Sequence, residues 1–167
     1  MAIPESTRYT PPTNEAELVL AWLRRARESQ FSHYGAANRL GSYGRVFGVP
    51  VIVITAIVGA SAFASIISQT VPLYAKLIVG LCSLSATVLS SLHTFFKFSE
   101  RSEKHRICGA KFGAIRRELE VLHVQGQFKS TELTAVRAKL DKLAAEAPDV
   151  DAAVFSREKA KQGDELP

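Results

Sequence analysis

The stretch that decides the fold is VFGVPVIVITAIVGASAFASIIS, Val46 to Ser68, which contains no charged side chain. As an α-helix rising about 1.5 Å per residue, it is long enough to cross a hydrocarbon core of about 30 Å. A second uncharged stretch, LIVGLCSLSATVLSSLHTFF, follows at 77–96. Two such windows in a short chain are typical of membrane spans and favour a transmembrane hairpin over a buried helical hairpin in a soluble domain.

The charged residues are segregated from these windows. They fill residues 1–45 and 97–167, so the mean hydropathy of the whole chain is only +0.06. Both flanks are rich in arginine and lysine, whereas the connector QTVPLYAK carries only Lys76. Because positive charge stays on the cytoplasmic side, we expect both termini in the cytoplasm. No nucleic-acid recognition motif accompanies the basic flanks, so their expected neighbours are acidic lipid headgroups rather than nucleic acid.

The polar arms are expected to be helical. Residues 1–13 are predicted to form a flexible tail and 14–45 an N-terminal cytosolic helix capped by Asn14. After a hairpin over 46–98, with spans at about 46–68 and 77–96, cytosolic helices are predicted in 99–147, the later one capped by Ser130. Residues 148–167 are predicted to be a mobile tail. The fold class is therefore an all-α membrane protein with amphipathic N- and C-terminal cytosolic helices.

An apolar seam runs along one face of the predicted C-terminal helices. Its members recur at spacings of three and four, which is the period of a packed helix face. Such a seam packs either inside the chain or against another chain, and the pattern leaves both open. The seam residues are Cys108, Phe112, Ile115, Leu119, Leu122, Leu133, Val136, Leu140 and Leu143.

The second span has two contrasting faces. At about 100° per residue, a ridge of Leu77, Leu81, Leu84, Val88, Leu92 and Phe95 is wholly apolar, as lipid requires. A separate hydroxyl stripe consists of Lys76, Gly80, Ser83, Thr87, Ser90, Thr94, Lys97 and Arg101. Hydroxyl side chains of this kind either pack against another helix or line water in an assembled pore, where the basic ends would favour anions. His93, beside this stripe, is either an interfacial histidine or a gate at the inner mouth.

The first span carries a small-residue face of Gly48, Thr55, Gly59 and Ala62, which suits close helix contact. Ser61, Ser65 and Ser68 form a second polar strip. One helix with two faces that avoid lipid is best satisfied when several chains assemble, so we expect a homo-oligomer. Pro50 is expected near the start of the span helix, where its missing N–H costs little.

Enzyme chemistry has no candidate residues. The sequence contains no phosphate-binding loop, dinucleotide fingerprint, nucleophile elbow or zinc motif. The histidines are His33, His93, His105 and His123, and no two share ligand spacing on one helix. We therefore expect no catalysis, cofactor or metal. The two functional hypotheses are an oligomeric channel gated by its cytosolic helices and a non-conducting scaffold that recruits a cytosolic partner through the seam between Leu133 and Leu143.

The order of segments resembles a known family. AWLRRARESQFSHYGAANRL precedes a span opening GVPVIVITAIVGASAFAS, and the second span continues into LHTFFKFSERSEKHRICGAKFGAIRRELE. Over about residues 15–125 this resembles the SLATT family, bacterial two-transmembrane effector domains associated with nucleotide-second-messenger conflict systems. The resemblance implies a pore-forming effector of the bacterial inner membrane that acts in anti-phage defence. Its trigger would be a nucleotide second messenger or a separately encoded signalling protein. Since the chain has no recognisable nucleotide-sensing domain, that trigger would act on the helical arms or through another protein.

Overall fold

The computed structural model describes residues 10–67 and 72–163, with side chains described for 10–61 and 72–161. The described residues contain helices and no strand, as predicted for an all-α fold. The helices are α1 (Glu15–Ile67), α2 (Leu73–Phe96), α3 (Phe98–Gln125), α4 (Ser130–Glu146) and α5 (Ala152–Gly163). Residues 1–9 of the predicted flexible tail, 68–71 and 164–167 lie outside the described residues. The chain divides into two compact units, the first comprising residues up to Ala36 and from His105 onward, the second Ala37–Lys104.

Helix α1 begins at the predicted cap. The N–H of Glu17 donates to Asn14 Oδ1 at 2.8 Å, while Asn14 Nδ2 donates to the Glu17 carboxylate at 3.0 Å. The backbone N–H of Thr13 and then its hydroxyl also donate to Glu17 and lower the pKa of that carboxyl group. These reciprocal bonds satisfy N–H groups that a helix start leaves without partners.

One prediction about α1 was wrong. Pro50 was expected near the start of a helix, but it lies in the interior of α1 because the helix continues unbroken from Glu15 to Ile67. At this position the proline ring removes the backbone bond that would otherwise be donated to the carbonyl of Val46. The glycines before the span do not interrupt the helix.

The second apolar window does not continue into the next helix without a break. Helix α2 ends at Phe96, and Lys97 adopts a left-handed backbone (φ 47°, ψ 42°) before α3 begins. Within the second unit, Ser102 Oγ donates to the carbonyl of Ala37 at 2.8 Å, and a Cβ on Gly41 would lie 3.4 Å from Ser102 Oγ. The first turns of α3 therefore pack closely against α1.

The predicted cap at Ser130 was wrong by one residue. Lys129 is the extended N-cap of α4, and its carbonyl accepts the N–H groups of Glu132 and Leu133. Ser130 consequently lies in the first turn, and no side chain caps this helix. Gly126, with φ +65°, follows the end of α3 and donates its N–H to the Leu122 carbonyl, a typical left-handed helix ending.

Residues 152–163, predicted to be part of a mobile tail, form α5. The N–H of Ala153 donates to Asp151 Oδ1 at 2.8 Å, and Val154 is buried. Lys159 Nζ lies 3.5 Å from a carboxylate oxygen of Glu28 on α1. The segment has a single capping residue and a single buried apolar side chain. It therefore lacks the repeated apolar spacing from which a helix is predicted.

Candidate functional site

Helices α1 and α2 border a lateral groove of about 460 Å³ in the second unit. Its lining consists of small and hydroxyl-bearing side chains with one valine: Thr55, Val58, Gly59, Ser83, Ala86, Thr87, Ser90 and Ser91. Part of the hydroxyl stripe of the second span therefore meets part of the small-residue face of the first. Sequence reasoning described the two sets one span at a time and did not pair them, because helical periodicity does not say which faces meet.

The other members of the stripe do not line the groove. Lys76, Thr94, Lys97 and Arg101 are exposed, and a Cβ on Gly80 would meet nothing within 4 Å. The apolar ridge is exposed along its whole length, from 41% at Leu92 to 78% at Phe95. The chain buries none of the apolar window in α1 and only 6% of the window in the helical stretch from Leu73. These apolar surfaces are thus left uncovered by the chain itself.

Most hydroxyl groups of the groove donate to their own helices. The bonds run to the preceding turn: Thr55 Oγ1 to the Val51 carbonyl at 2.8 Å, and Ser83 to Val79, Thr87 to Ser83 and Ser91 to Thr87, each at 2.9 Å. Such bonds satisfy the hydroxyl proton and leave the oxygen with lone pairs that can still accept hydrogen bonds. Among the described residues, Ser90 and Thr94 make no such bond. The groove is therefore polar enough to accept water without requiring it.

The predicted contact residues of α1 behave differently from one another. A Cβ on Gly48 would come within 3.3 Å of His93 Cε1, so the glycine lets the half-buried imidazole approach α1. His93 Nδ1 is buried and has no hydrogen-bond partner among the described residues. A Cβ on Gly59 would meet no described atom within 4 Å. The Ala62 side chain lies outside the described residues.

A family model matches residues 25–156, and its description is SMODS and SLOG-associating 2TM effector domain family 4. The chain belongs to this family. The resemblance to the SLATT family in the sequence is thereby confirmed, and the match includes both apolar windows. Together with two uncovered helices long and apolar enough to cross a bilayer, it identifies a membrane-associated effector domain. No curated protein and no solved structure matches the chain.

In this SLATT domain the apolar seam lies inside the first unit. All nine seam residues belong to one hydrophobic core or pack against it, together with Val19, Trp22, Leu23 and Ala26 of α1. Leu119 and Val136 are 0% and 1% exposed. Within the described residues the seam therefore packs intramolecularly, with Leu133 and Leu140 half-buried, and its contact with a partner chain stays a prediction. The N-terminal segment of α1 provides the apolar side chains that cover it.

The SLATT domain also holds a histidine pair that sequence reasoning missed. His33 Nδ1 lies 3.0 Å from His105 Nδ1, both rings are buried, and His33 stacks on Phe112 with ring centroids 5.5 Å apart. Burial, followed by the neighbouring His105, lowers the pKa of His33 from 6.5 to about 4. The sequence held one signal for His105. It lies three residues before Cys108, at the spacing of the seam, and this spacing predicts that it shares the packed face of the helix. The described residues contain no group of three or more metal-ligating side chains, so the pair is not part of a larger ligand cluster there.

A second, basic groove of about 320 Å³ lies between α3 and α4 of the SLATT domain. Its lining combines an apolar floor with lysines: Lys111, Ala114, Ile115, Lys139, Lys142, Leu143 and Glu146. Lys139 Nζ is held by the carboxylate of Glu118 at 2.7 Å. The groove therefore has more lysines than carboxylates in its lining, and its apolar floor includes the seam residues Ile115 and Leu143.

Proposed function

We propose that this SLATT domain crosses the bacterial inner membrane twice as a hairpin, with both termini in the cytoplasm, and assembles into a homo-oligomeric channel. In this proposal the cytosolic helices gate the channel and the output is membrane damage in anti-phage defence. The family's effector description supports the effector role. Its channel activity, orientation and subunit contacts are our inference.

The observation that carries the proposal is the uncovered pair of apolar helices with a hydroxyl-lined groove between them. Lipid is a suitable neighbour for the ridge from Leu77 to Phe95, but it gives the hydroxyl oxygens no hydrogen-bond donors. Two helices cannot enclose a water-filled path alone. Several copies placed around a common axis would give the groove and the adjoining stripe a polar environment.

Gating would act through the arms. A nucleotide second messenger or a separately encoded signalling protein would change the packing of the cytosolic helices, and the second spans would then rotate or splay. Ser83, Thr87, Ser90 and Thr94 would line the open path, with His93 and Lys97 at its inner mouth. Hydration of this lining would follow the movement of the helices.

The test is ion flux through liposomes that contain the purified full-length protein. Replacing Thr87 and Ser90 by leucine should abolish flux without preventing insertion, because leucine fills the groove and removes its oxygens. Ser85→Leu is the matched control, since Ser85 is exposed and does not line the groove. Equal flux from wild type and the double variant, with both fully inserted, would refute the lining role of Thr87 and Ser90 and assign them to helix packing, whereas no flux from inserted wild type would refute the channel.

A non-conducting scaffold is the second candidate. It is favoured by the bonds that Thr55, Ser83 and Thr87 make to their own helices, since these allow the groove to remain dry. Since the seam from Leu133 to Leu143 packs in or against the core, we place the partner on the basic groove instead. This candidate predicts no flux from wild-type protein in any oligomeric state.

A further inference from the structure

The least exposed side chains of α2 and of the first turns of α3 follow a pattern that changes at one point. In α2 they recur every three or four residues, at Ala86, Leu89 and His93. The next two are Phe98 and Ser102, which follow at intervals of five and four residues. A regular helix of 3.6 residues per turn does not return to the same face after five residues. The pattern therefore contains one extra residue between His93 and Phe98.

The contacts with α1 in the second unit show the same offset. A Cβ on Gly48 would lie 3.3 Å from His93 Cε1, and a Cβ on Gly44 would lie 3.5 Å from Phe98 Cβ. The Ser102 hydroxyl donates to a backbone carbonyl of α1 at 2.8 Å. In one continuous helix the residues from His93 to Ser102 would turn through about 900°, which would place these two side chains on opposite faces. Both nevertheless contact α1, so the helix is interrupted in a way that turns them to the same side.

The left-handed backbone of Lys97 takes up the extra residue. It is the only positive φ among the described residues other than glycine, and such a backbone is unfavourable for a residue with a Cβ unless its surroundings hold it. The neighbouring rings hold it here, because Phe98 lies with its ring centroid 5.3 Å from Phe96 and 5.8 Å from Phe47 of α1. Side chains two residues apart do not face each other in a continuous helix, so the stacking of Phe96 on Phe98 requires the interruption.

We propose that the backbone of Lys97 is a register switch between α2 and α3. In the interrupted register, with Lys97 left-handed, Phe98 and Ser102 face α1. In the continuous register, with Lys97 helical, the two helices join and Lys97 and Arg101 take those two places, in line with Ser90. The register change is a property of the second unit alone, whereas its effect on ion flux rests on the proposed function. There the interrupted register is the resting form, and the continuous register is the conducting form because it extends the hydroxyl stripe without a break.

The test is disulfide trapping in the full-length protein in liposomes, in a background of Cys82→Ser and Cys108→Ala. The pair Gly41→Cys with Ser102→Cys reports the interrupted register, since a Cβ on Gly41 would lie 3.4 Å from Ser102 Oγ. The pair Gly41→Cys with Arg101→Cys reports the continuous register, in which residue 101 would occupy the place of residue 102. With native lysine at the switch, the first pair should cross-link more than the second.

Two substitutions of Lys97 remove the same charge and differ in their backbone preference. Lys97→Gly favours the interrupted register because glycine adopts a positive φ freely, whereas Lys97→Ala favours the continuous helix. The ratio of the first cross-link to the second should therefore be at least about tenfold lower with alanine than with glycine. Without the engineered cysteines, the alanine variant should also conduct more ions at rest than the glycine variant.

Single cysteines give a second measurement if a cysteine pair fails to insert. Ser102 is buried and Arg101 is exposed, so a maleimide should label Ser102→Cys more slowly than Arg101→Cys, and Lys97→Ala should reduce this difference. Equal cross-link ratios in Lys97→Gly and Lys97→Ala, or a predominant Arg101 pair with native Lys97, would overturn the switch. A conducting wild type with equal ratios overturns this inference alone. Different ratios with no ion flux from inserted wild type leave the switch in place and overturn the proposed function.

Discussion

The two compact units differ in how far their apolar side chains are buried. In the first unit, Leu119 and Val19 are fully buried in a core built from α1, α3 and α4. In the second, Leu81 and Leu84 of α2 are 66% and 64% exposed, and the apolar windows of the two long helical stretches are only 0% and 6% buried. The first unit thus has a core of its own among the described residues. The second has no comparable core among its described residues, so its stability depends on what surrounds it, whether lipid or further copies of the chain.

The largest expected effect comes from placing a charge on an exposed apolar residue of the second unit, with the same change in the first unit as the control. Leu84→Arg should oppose membrane insertion by about 3 to 4 kcal/mol, because an arginine near the centre of a span is costly in hydrocarbon. Val124→Arg, at a residue of the first unit that is 85% exposed, should change stability by less than about 0.5 kcal/mol. Carbonate extraction of membranes from expressing cells measures the difference. Equal membrane retention of both variants would mean that Leu84 does not lie in hydrocarbon and that the two units do not differ in this respect.

A large-to-small substitution in the core of the first unit tests the contribution of buried apolar side chains. Leu119→Ala should lower the free energy of unfolding by about 3 kcal/mol, since it removes apolar contacts and leaves a cavity in the first unit. Leu84→Ala is the matched control in the second unit, and at its exposed position it should cost less than about 1 kcal/mol because no enclosed cavity forms. Thermal unfolding in detergent, followed by circular dichroism, reports both. Similar shifts would mean that Leu84 is covered by protein.

The sequence predicted the parts of the fold that strong local signals specify. Long uncharged windows specify the apolar helices, the seam period specifies the face of α3 and α4 that packs, and Asn14 specifies a helix start. The choice between intramolecular and intermolecular packing of the seam needed the structure, because the covering residues Val19 and Ala26 are far away in the chain.

The candidate site was less predictable for the same reason. His33 and His105 are 72 residues apart, and the groove brings Thr55 of one helix to Thr87 of another. Pairings of this kind depend on which helix faces meet, and a single-helix periodicity carries no such information. The left-handed backbone at Lys97 was also missed, since lysine has no local preference for that conformation.

We expect the burial of His33 beside His105 to make the stability of the first unit depend on pH. The pKa of His33 is about 4 in the folded protein against 6.5 ordinarily, so between these values the unfolded chain binds more protons. The free energy of unfolding should therefore fall as the pH is lowered from 6.5 towards 4, by at most about 1.4 kcal/mol per pH unit. His33→Phe should flatten this slope, whereas the same change at exposed His123 should not. Urea titrations across this pH range measure it, and an unchanged slope in His33→Phe would assign the dependence to other groups.

The smallest expected difference separates two helix starts of the first unit that look alike in sequence. Asn14→Ala should destabilise the start of α1 by about 1 kcal/mol, because Asn14 Oδ1 accepts the Glu17 N–H. Ser130→Ala should have almost no effect, since Lys129 is the N-cap of α4 and no side chain caps it. Amide hydrogen exchange in the first turns of α1 and α4 resolves the two. If Ser130→Ala accelerated exchange as much as Asn14→Ala, the seryl hydroxyl would be a cap in solution, and α4 would begin where the sequence first placed it.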